Sequence, residues 1–441
     1  MRKITLLILA LITVIGVNAQ LTLNGEYRPR TEFLHGYKAP MGIDGQMFNL
    51  VTTQRARFGV FYKTDKYRFG LQFQDVRAWG STKQLVNNDG SFTTVHQAWG
   101  EVLFNENLSL KLGRQELVYD DSRILGNVGW AQQARSHDIA LLKYEKKGAY
   151  KLHFGVAVNQ VQTMPYNTAG NYKSMQFLWL HKKFGEAFSL SILALNNGVA
   201  DTVTNGLVGA PMTTLSQIIG IRPVYKAGKL QASLNFYYQM GNDKSTYFNS
   251  SENKNYHKNI SAINLRIDVS YKATDNLKTT VGFEMLSGNS ETNTDKSYSE
   301  TNHAFTPLYG TNHKFNGWMD YFYVGNHVNN VGLNDAYLQL DYKKEKILAG
   351  AHFHYFMANA EVLDQKEFAS TGDIKAMPSG LGTEIDTYVG YKYAKGVLFK
   401  AGFSMMLDSE TMREIKGGSA DATNYWGWVM VVIKPTFLNK K

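Results

Sequence analysis

Eight very short connections alternate with nine long polar ones along this chain, and that rhythm limits the possible folds more than any single motif does. The short ones lie at 63–66, 105–107, 146–149, 184–187, 226–229, 273–276, 343–346 and 394–396, each with Gly, Asn, Asp or a charged tip suited to a tight turn. The long ones fall near 35–49, 80–92, 119–138, 161–171, 199–212, 241–258, 288–331, 358–381 and 408–422. Seventeen connections join eighteen strands, and an even count with every second connection tight is the pattern of an up-and-down barrel.

The runs between the connections have period two. In "YKLHFGVAVN" Leu152, Phe154, Val156 and Val158 share one face, with Lys151, His153, Gly155 and Asn159 on the other. In "INLRIDVSY" the apolar face is Ile263, Leu265, Ile267, Val269 and Tyr271, and the polar face is Asn264, Arg266, Asp268 and Ser270. Apolar outside and polar inside fits strands whose outer face meets lipid. Beyond the first residues there is no run of eighteen apolar positions, so a transmembrane helix is excluded. The 26 Tyr, 24 Phe and 7 Trp include several near strand ends, such as Tyr62, Trp79, Tyr391, Trp426 and Trp428, as interfacial girdles require. The expected fold is all-β, a transmembrane antiparallel up-and-down β-barrel of 18 strands with short periplasmic turns and long extracellular loops.

Residues 1–19 read as a signal peptide: Arg2 and Lys3, an apolar stretch from Ile4 to Val17, then Val17-Asn18-Ala19 for cleavage. That leaves 20–441 as one outer-membrane barrel domain. The sequence has no Cys, which removes lipid anchoring, disulfides and thiolate chemistry. The formal charge of +10, about +8 without the leader, points to an anionic partner or anionic lipid rather than nucleic acid.

Catalysis finds no support. There is no G-x-S-x-G elbow and no H-E-x-x-H, and Ser136, His137 and Asp138 are consecutive, which in a strand sends neighbours to opposite faces. His352 and His354 share an inner face about 7 Å apart, and "SGNSETNTDKSYSETNHAFTPLYGTNHKFNG" carries acids without calcium-loop spacing. No metal or cofactor is assigned, and the segment 287–317 is expected to be a solvated extracellular loop.

Alternation places Glu26, Arg28, Arg30 and Glu32 on one inward face, Arg55 and Arg57 on the next, and Arg222 with Gly220 on another. Guanidinium stays charged and offers a forked donor set matched to carboxylates, so such a lumen favours anionic solutes; bracing of the wall by salt bridges is the other reading. Asp75 and Arg77 fall on the lipid face by alternation, which requires either a bulge or a strand end beyond the bilayer. A similar break occurs at Gly113–Glu116. The stretch from Asp120 to Asp138, with Gly126, Gly129 and Trp130, has the make-up of a loop folded into the lumen, Arg123 and Arg135 presenting donors and Asp120, Asp121 and Asp138 holding them. An ordinary extracellular loop is the alternative.

"GEYRPRTEF", "RARFGV", "DVRAWG" and "GRQELVYDDSRILGNVGWAQQARSHDIALLKY" resemble the alginate export family of outer-membrane channels. The resemblance implies a monomeric barrel of 18 strands with an arginine-lined constriction through which an acidic polysaccharide leaves the cell. By the matching blocks, the implied pore arginines are Arg30, Arg55, Arg57, Arg77, Arg114, Arg123 and Arg135. The chain departs from that pattern in having no long periplasmic turn and few arginines in its second half beyond Arg222 and Arg266. The expected function is passive diffusion of an anionic glycan across the outer membrane, with a general anion or oligosaccharide porin, or a surface adhesion protein using its long loops, as alternatives.

Overall fold

The computed structural model describes residues 19–42, 47–85, 93–160, 172–204, 207–322 and 330–440; the leader read at 1–19 lies outside these but for its last residue. Eighteen strands form the wall. They are β1 Gln20–His35, β2 Asn49–Lys63, β3 Tyr67–Ala78, β4 Thr93–Leu103, β5 Leu108–Gln115, β6 His137–Lys146, β7 Tyr150–Val158, β8 Ser174–Phe184 and β9 Phe188–Thr204. The second half comprises β10 Leu207–Ala227, β11 Leu230–Asn249, β12 Lys254–Lys272, β13 Leu277–Leu286, β14 Leu333–Lys344, β15 Ile347–Met357, β16 Gly380–Ala394, β17 Val397–Asp408 and β18 Asn424–Ile433. Each strand pairs antiparallel with the next, and β18 returns to β1 in the register Arg30↔Met430 to His35↔Tyr425, closing the barrel. Past Pro435, which has no N–H to give the ladder, Thr436–Lys440 continues the same edge against the start of β1.

All eight tight turns fall where turn chemistry places them. Two of the long connections do not remain loops. β9 and β10 stay paired out to Thr204↔Leu207, and β11 and β12 out to Asn249↔Lys254, so of the expected loops at 199–212 and 241–258 the residues 199–204, 207–212, 241–249 and 254–258 are strand. These four strands have 17 to 21 residues, where about 9–11 cross a bilayer. In the β11–β12 extension, 242–258, the sequence is polar at most positions, so hydropathy loses its alternation there while backbone pairing continues.

The outer wall is apolar: Phe154, Leu178, Ile192, Ile267 and Val281 are all exposed. The inner wall is polar in only part of its area. Met175 and Phe177 of β8, Leu195 of β9, Ile218 of β10, Phe356 of β15 and Trp426 of β18 point inward and are almost wholly buried. Trp426 and Trp428 therefore belong to the interior and not to a girdle. What buries them is chain: the β5–β6 connection (116–136) and the described parts of the β13–β14 connection (287–322 and 330–332) fold into the bore. Leu117, Leu125, Phe305, Met319 and Tyr321 from these two segments join the wall residues in one apolar core.

Candidate functional site

The two infolded segments cross each other at glycines. A Cβ on Gly126 would lie 2.2 Å from the Thr311 hydroxyl, and one on Gly310 would lie 2.1 Å from the Arg123 carbonyl oxygen, so only glycine allows the backbones this close. A short parallel bridge, Leu125↔Tyr309, joins them. The cost of threading 116–136 through the bore shows in its backbone: Asp120, Ser122, Val128 and Ala134 all have positive φ, unusual for any non-glycine residue and most of all for β-branched Val128.

Each end of this segment is clamped to a different wall. On the β1–β2 side the register pairs Arg28 with Arg55 and Glu26 with Arg57, so with Arg30 four guanidinium groups form a compact panel. Arg28 donates to the carbonyl oxygens of Gly129 (2.8 Å), Trp130 (2.9 Å) and Ala131 (3.1 Å), and to the Gln132 side chain (2.9 and 3.0 Å). Arg55 donates to the Gln132 carbonyl at 3.1 Å and pairs with Glu26 at 2.6 Å. Arg30 reaches the Trp130 carbonyl at 2.9 Å, pairs with Glu32 and stacks over the Trp130 ring at 4.3 Å. Arg57 donates to Gln74 and faces Glu116 at 3.9 Å. Loop carbonyls and three carboxylates thus offset the mutual repulsion of the panel.

At the opposite end, Asp120 accepts from the Trp179 indole (2.9 Å) and the Ser191 hydroxyl (2.5 Å). Asp121 accepts from Asn235 (2.6 Å) and lies 3.6 Å from Arg222. Burial raises the pKa of Asp120, whereas for Asp121 Arg222 and Arg266 outweigh burial and hold it below the usual carboxylate value. Arg123 is fully enclosed, paired with Glu284 of β13 at 2.7 Å, donating to Asn316 at 3.0 Å and lying over the Phe315 ring. Arg135 reaches the Gly310 carbonyl at 3.1 Å.

Of the residues expected at a pore, Arg30, Arg55, Arg57, Arg222, Arg123, Arg135, Asp120 and Asp121 thus lie inside the barrel, where their contacts fasten the infolded segments to the wall and to each other. Three others lie elsewhere. β3 keeps its alternation, so Asp75 and Arg77 pair with each other on the outer face near the strand end, beside Gln54 and Trp79. Arg114 and Asp138 likewise pair at 2.8 Å on the outer face, both well exposed, at the paired ends of β5 and β6. Charge there meets the interfacial zone rather than hydrocarbon, so no bulge is needed in either strand. A bulge does occur in β4: its register against β3 shifts between Gln72 and Phe73, and both His96 and Gln97 turn inward.

Sequence reasoning left Gln74, His96, Gln132 and Asn316 out of the site, because nothing in strand or loop composition singles out an uncharged amide or a histidine turned by a bulge. The segment 287–317 is not a solvated loop, and its aromatic residues Phe305, Tyr309 and Phe315 were the available signal. His352 and His354 hydrogen-bond to Asp341 and Asp335 on the neighbouring strand.

Two interior cavities flank the clamped segment. One of about 730 Å³ lies between it and β1–β3, lined by Arg30, Glu32, Tyr37, Lys38, Gln133 and Asp320 among others. The second, about 240 Å³, lies against β5–β8 and is lined by Lys111, Glu116, Tyr119, Lys143, Lys151 and His153 among others.

Residues 19–395 match the family model described as alginate export. No curated protein matches the sequence. Among solved structures the chain is similar to OccAB1 of Acinetobacter baumannii (TM-score 0.58, 11% identity, 96% of this chain and 97% of that one). It is also similar to the outer membrane protein OprD of Pseudomonas aeruginosa (TM-score 0.57, 11% identity, 95% and 94%). A third is Pseudomonas aeruginosa OpdK, solved with vanillate (TM-score 0.55, 9% identity, 96% and 100%). At these identities the likeness concerns the fold.

Proposed function

Because the chain belongs to the alginate export family, and is on that ground an outer-membrane channel and not an enzyme, we propose that it acts as a monomer passing anionic polysaccharide or oligosaccharide of the alginate-like uronate class by passive diffusion. The observation that carries this reading is the panel of Arg28, Arg30, Arg55 and Arg57 on two adjacent strands, at the level where the infolded segment narrows the bore. Further cations line the cavities on either side, Lys38 in one and Lys111, Lys143 and Lys151 in the other. A positive potential focused in a narrow low-dielectric bore concentrates carboxylated solutes over neutral ones.

A broader anion or oligosaccharide porin is favoured by one specific feature: most donors of the panel are engaged by loop carbonyls and Gln132, which leaves fewer for a particular sugar. The experiment that separates the two readings is current block in planar bilayers. Uronate oligomers are expected to block the channel at concentrations where neutral oligomers of equal length do not. Equal block by both supports the broader porin, and cation selectivity with no block by either overturns both readings.

A further inference from the structure

We propose that solute crosses the bore along the wall formed by β2 to β5, and that the gate on this route is the side-chain relay Gln133–Gln74–Arg57–Glu116. The route rests on the channel reading above, but not on the class of solute.

The infolded segments close against β13–β14 through the fully enclosed Arg123–Glu284–Asn316–Asp335 network, and against seven other strands they seal the bore with close-packed apolar groups. Leu117, Leu125, Phe177, Leu195 and Ile218 do so toward β8–β10, and Met319, Tyr321, Phe356 and Trp426 toward β15–β18; all are at most 2% exposed. A hydrated sugar entering there would have to part a packed core and leave its hydroxyls without partners. On the β2–β5 wall the contact is of another kind. Gln74 donates to the Gln133 carbonyl at 3.1 Å, Arg57 donates to the Gln74 side-chain oxygen at 2.9 and 3.1 Å, and Arg57 lies 3.9 Å from Glu116.

This relay runs from the lining of one cavity to the lining of the other. Gln133 borders the larger one and Glu116 the smaller. Glu116 is itself steadied by His96 (2.7 Å) and Asn127 (2.8 Å), which gives the β4 bulge a purpose: without it His96 would not face the bore beside Gln97. Hydrogen bonds of this sort exchange with a polar solute at little net cost, whereas apolar packing does not. When Gln74 swings aside, the forked Arg57 donors that held its amide oxygen become available to a solute carboxylate of matching geometry. The gate then both opens and selects by one exchange of partners, with no movement of the loop backbone.

The sequence has no Cys, so single cysteines report without background. Full-length barrels carrying Gln74→Cys or Ser404→Cys, the latter a fully buried position on β17, are placed in planar bilayers and treated with a negatively charged methanethiosulfonate. The expected result is loss of about half the current or more at position 74 and none at 404, with Gln74→Ala raising conductance about twofold. Block at 404 but not at 74, unchanged conductance in Gln74→Ala, or absence of current in both wild type and Gln74→Ala overturns the route. Protection of the Gln74→Cys thiol by uronate oligomers supports the exchange at Arg57. Block at position 74 without that protection supports the route and overturns the carboxylate exchange.

Discussion

Arg28→Ala tests whether the arginine panel holds the infolded segment. The side chain makes five hydrogen bonds to residues 129–132, but they do not all vanish in energy when it is removed. Arg30 still reaches the Trp130 carbonyl, Arg55 still reaches those of Ala131 and Gln132, and the Gln132 amide keeps Thr53. The main uncompensated loss is the charge-assisted bond to the Gly129 carbonyl, together with the Gln132 side-chain oxygen. Such groups cost roughly 1–3 kcal/mol each when left buried, and loss of repulsion with Arg55 offsets part of that, giving about 3 kcal/mol against loop docking. At about 1.4 kcal/mol per decade the segment should detach about 100-fold more often while the barrel ladder stays intact. Hydrogen exchange in nanodiscs reads this directly at the amides of Ala131, Ala134 and Arg135, which bond to the carbonyls of Val128, Ala131 and Asn127. Their exchange should accelerate about 100-fold while amides of the β1–β2 ladder do not change. Acceleration below about threefold, or an equal effect in that ladder, would refute the clamp.

Arg123→Met should cost about 3–5 kcal/mol of docking by stranding buried Glu284, and Arg123→Met with Glu284→Gln should recover most of it; a double-mutant cycle on the same exchange rates checks this. Arg114→Ala should leave the reversal potential in a salt gradient unchanged, since the group stands on the outer face. Gly113→Ala should lower the yield of folded barrel in a heat-modifiability gel. Gly113 has φ +115° and a Cβ there would lie 2.3 Å from the Ala98 carbonyl oxygen.

The sequence by itself determined the wall. Lipid requires every second residue of a spanning strand to be apolar and every periplasmic return to be tight, and both demands are local, so Leu152 to Val158, Ile263 to Tyr271 and all eight turns can be read directly. It also placed Arg28, Arg30, Arg55, Arg57 and Arg222 on inward faces by parity alone. Parity also put Arg77 on the outer face, and only the family resemblance had placed Arg77 and Arg114 at the pore; hydropathy misled in the hairpins that continue past the expected loops at 199–212 and 241–258. Only the tertiary structure decided what fills the bore and what the arginines hold. Those contacts join residues far apart in the chain, Arg28 to Gln132 over 104 positions and Arg123 to Asn316 over 193. Their geometry depends on closure of all eighteen strands, which no local pattern of hydropathy encodes.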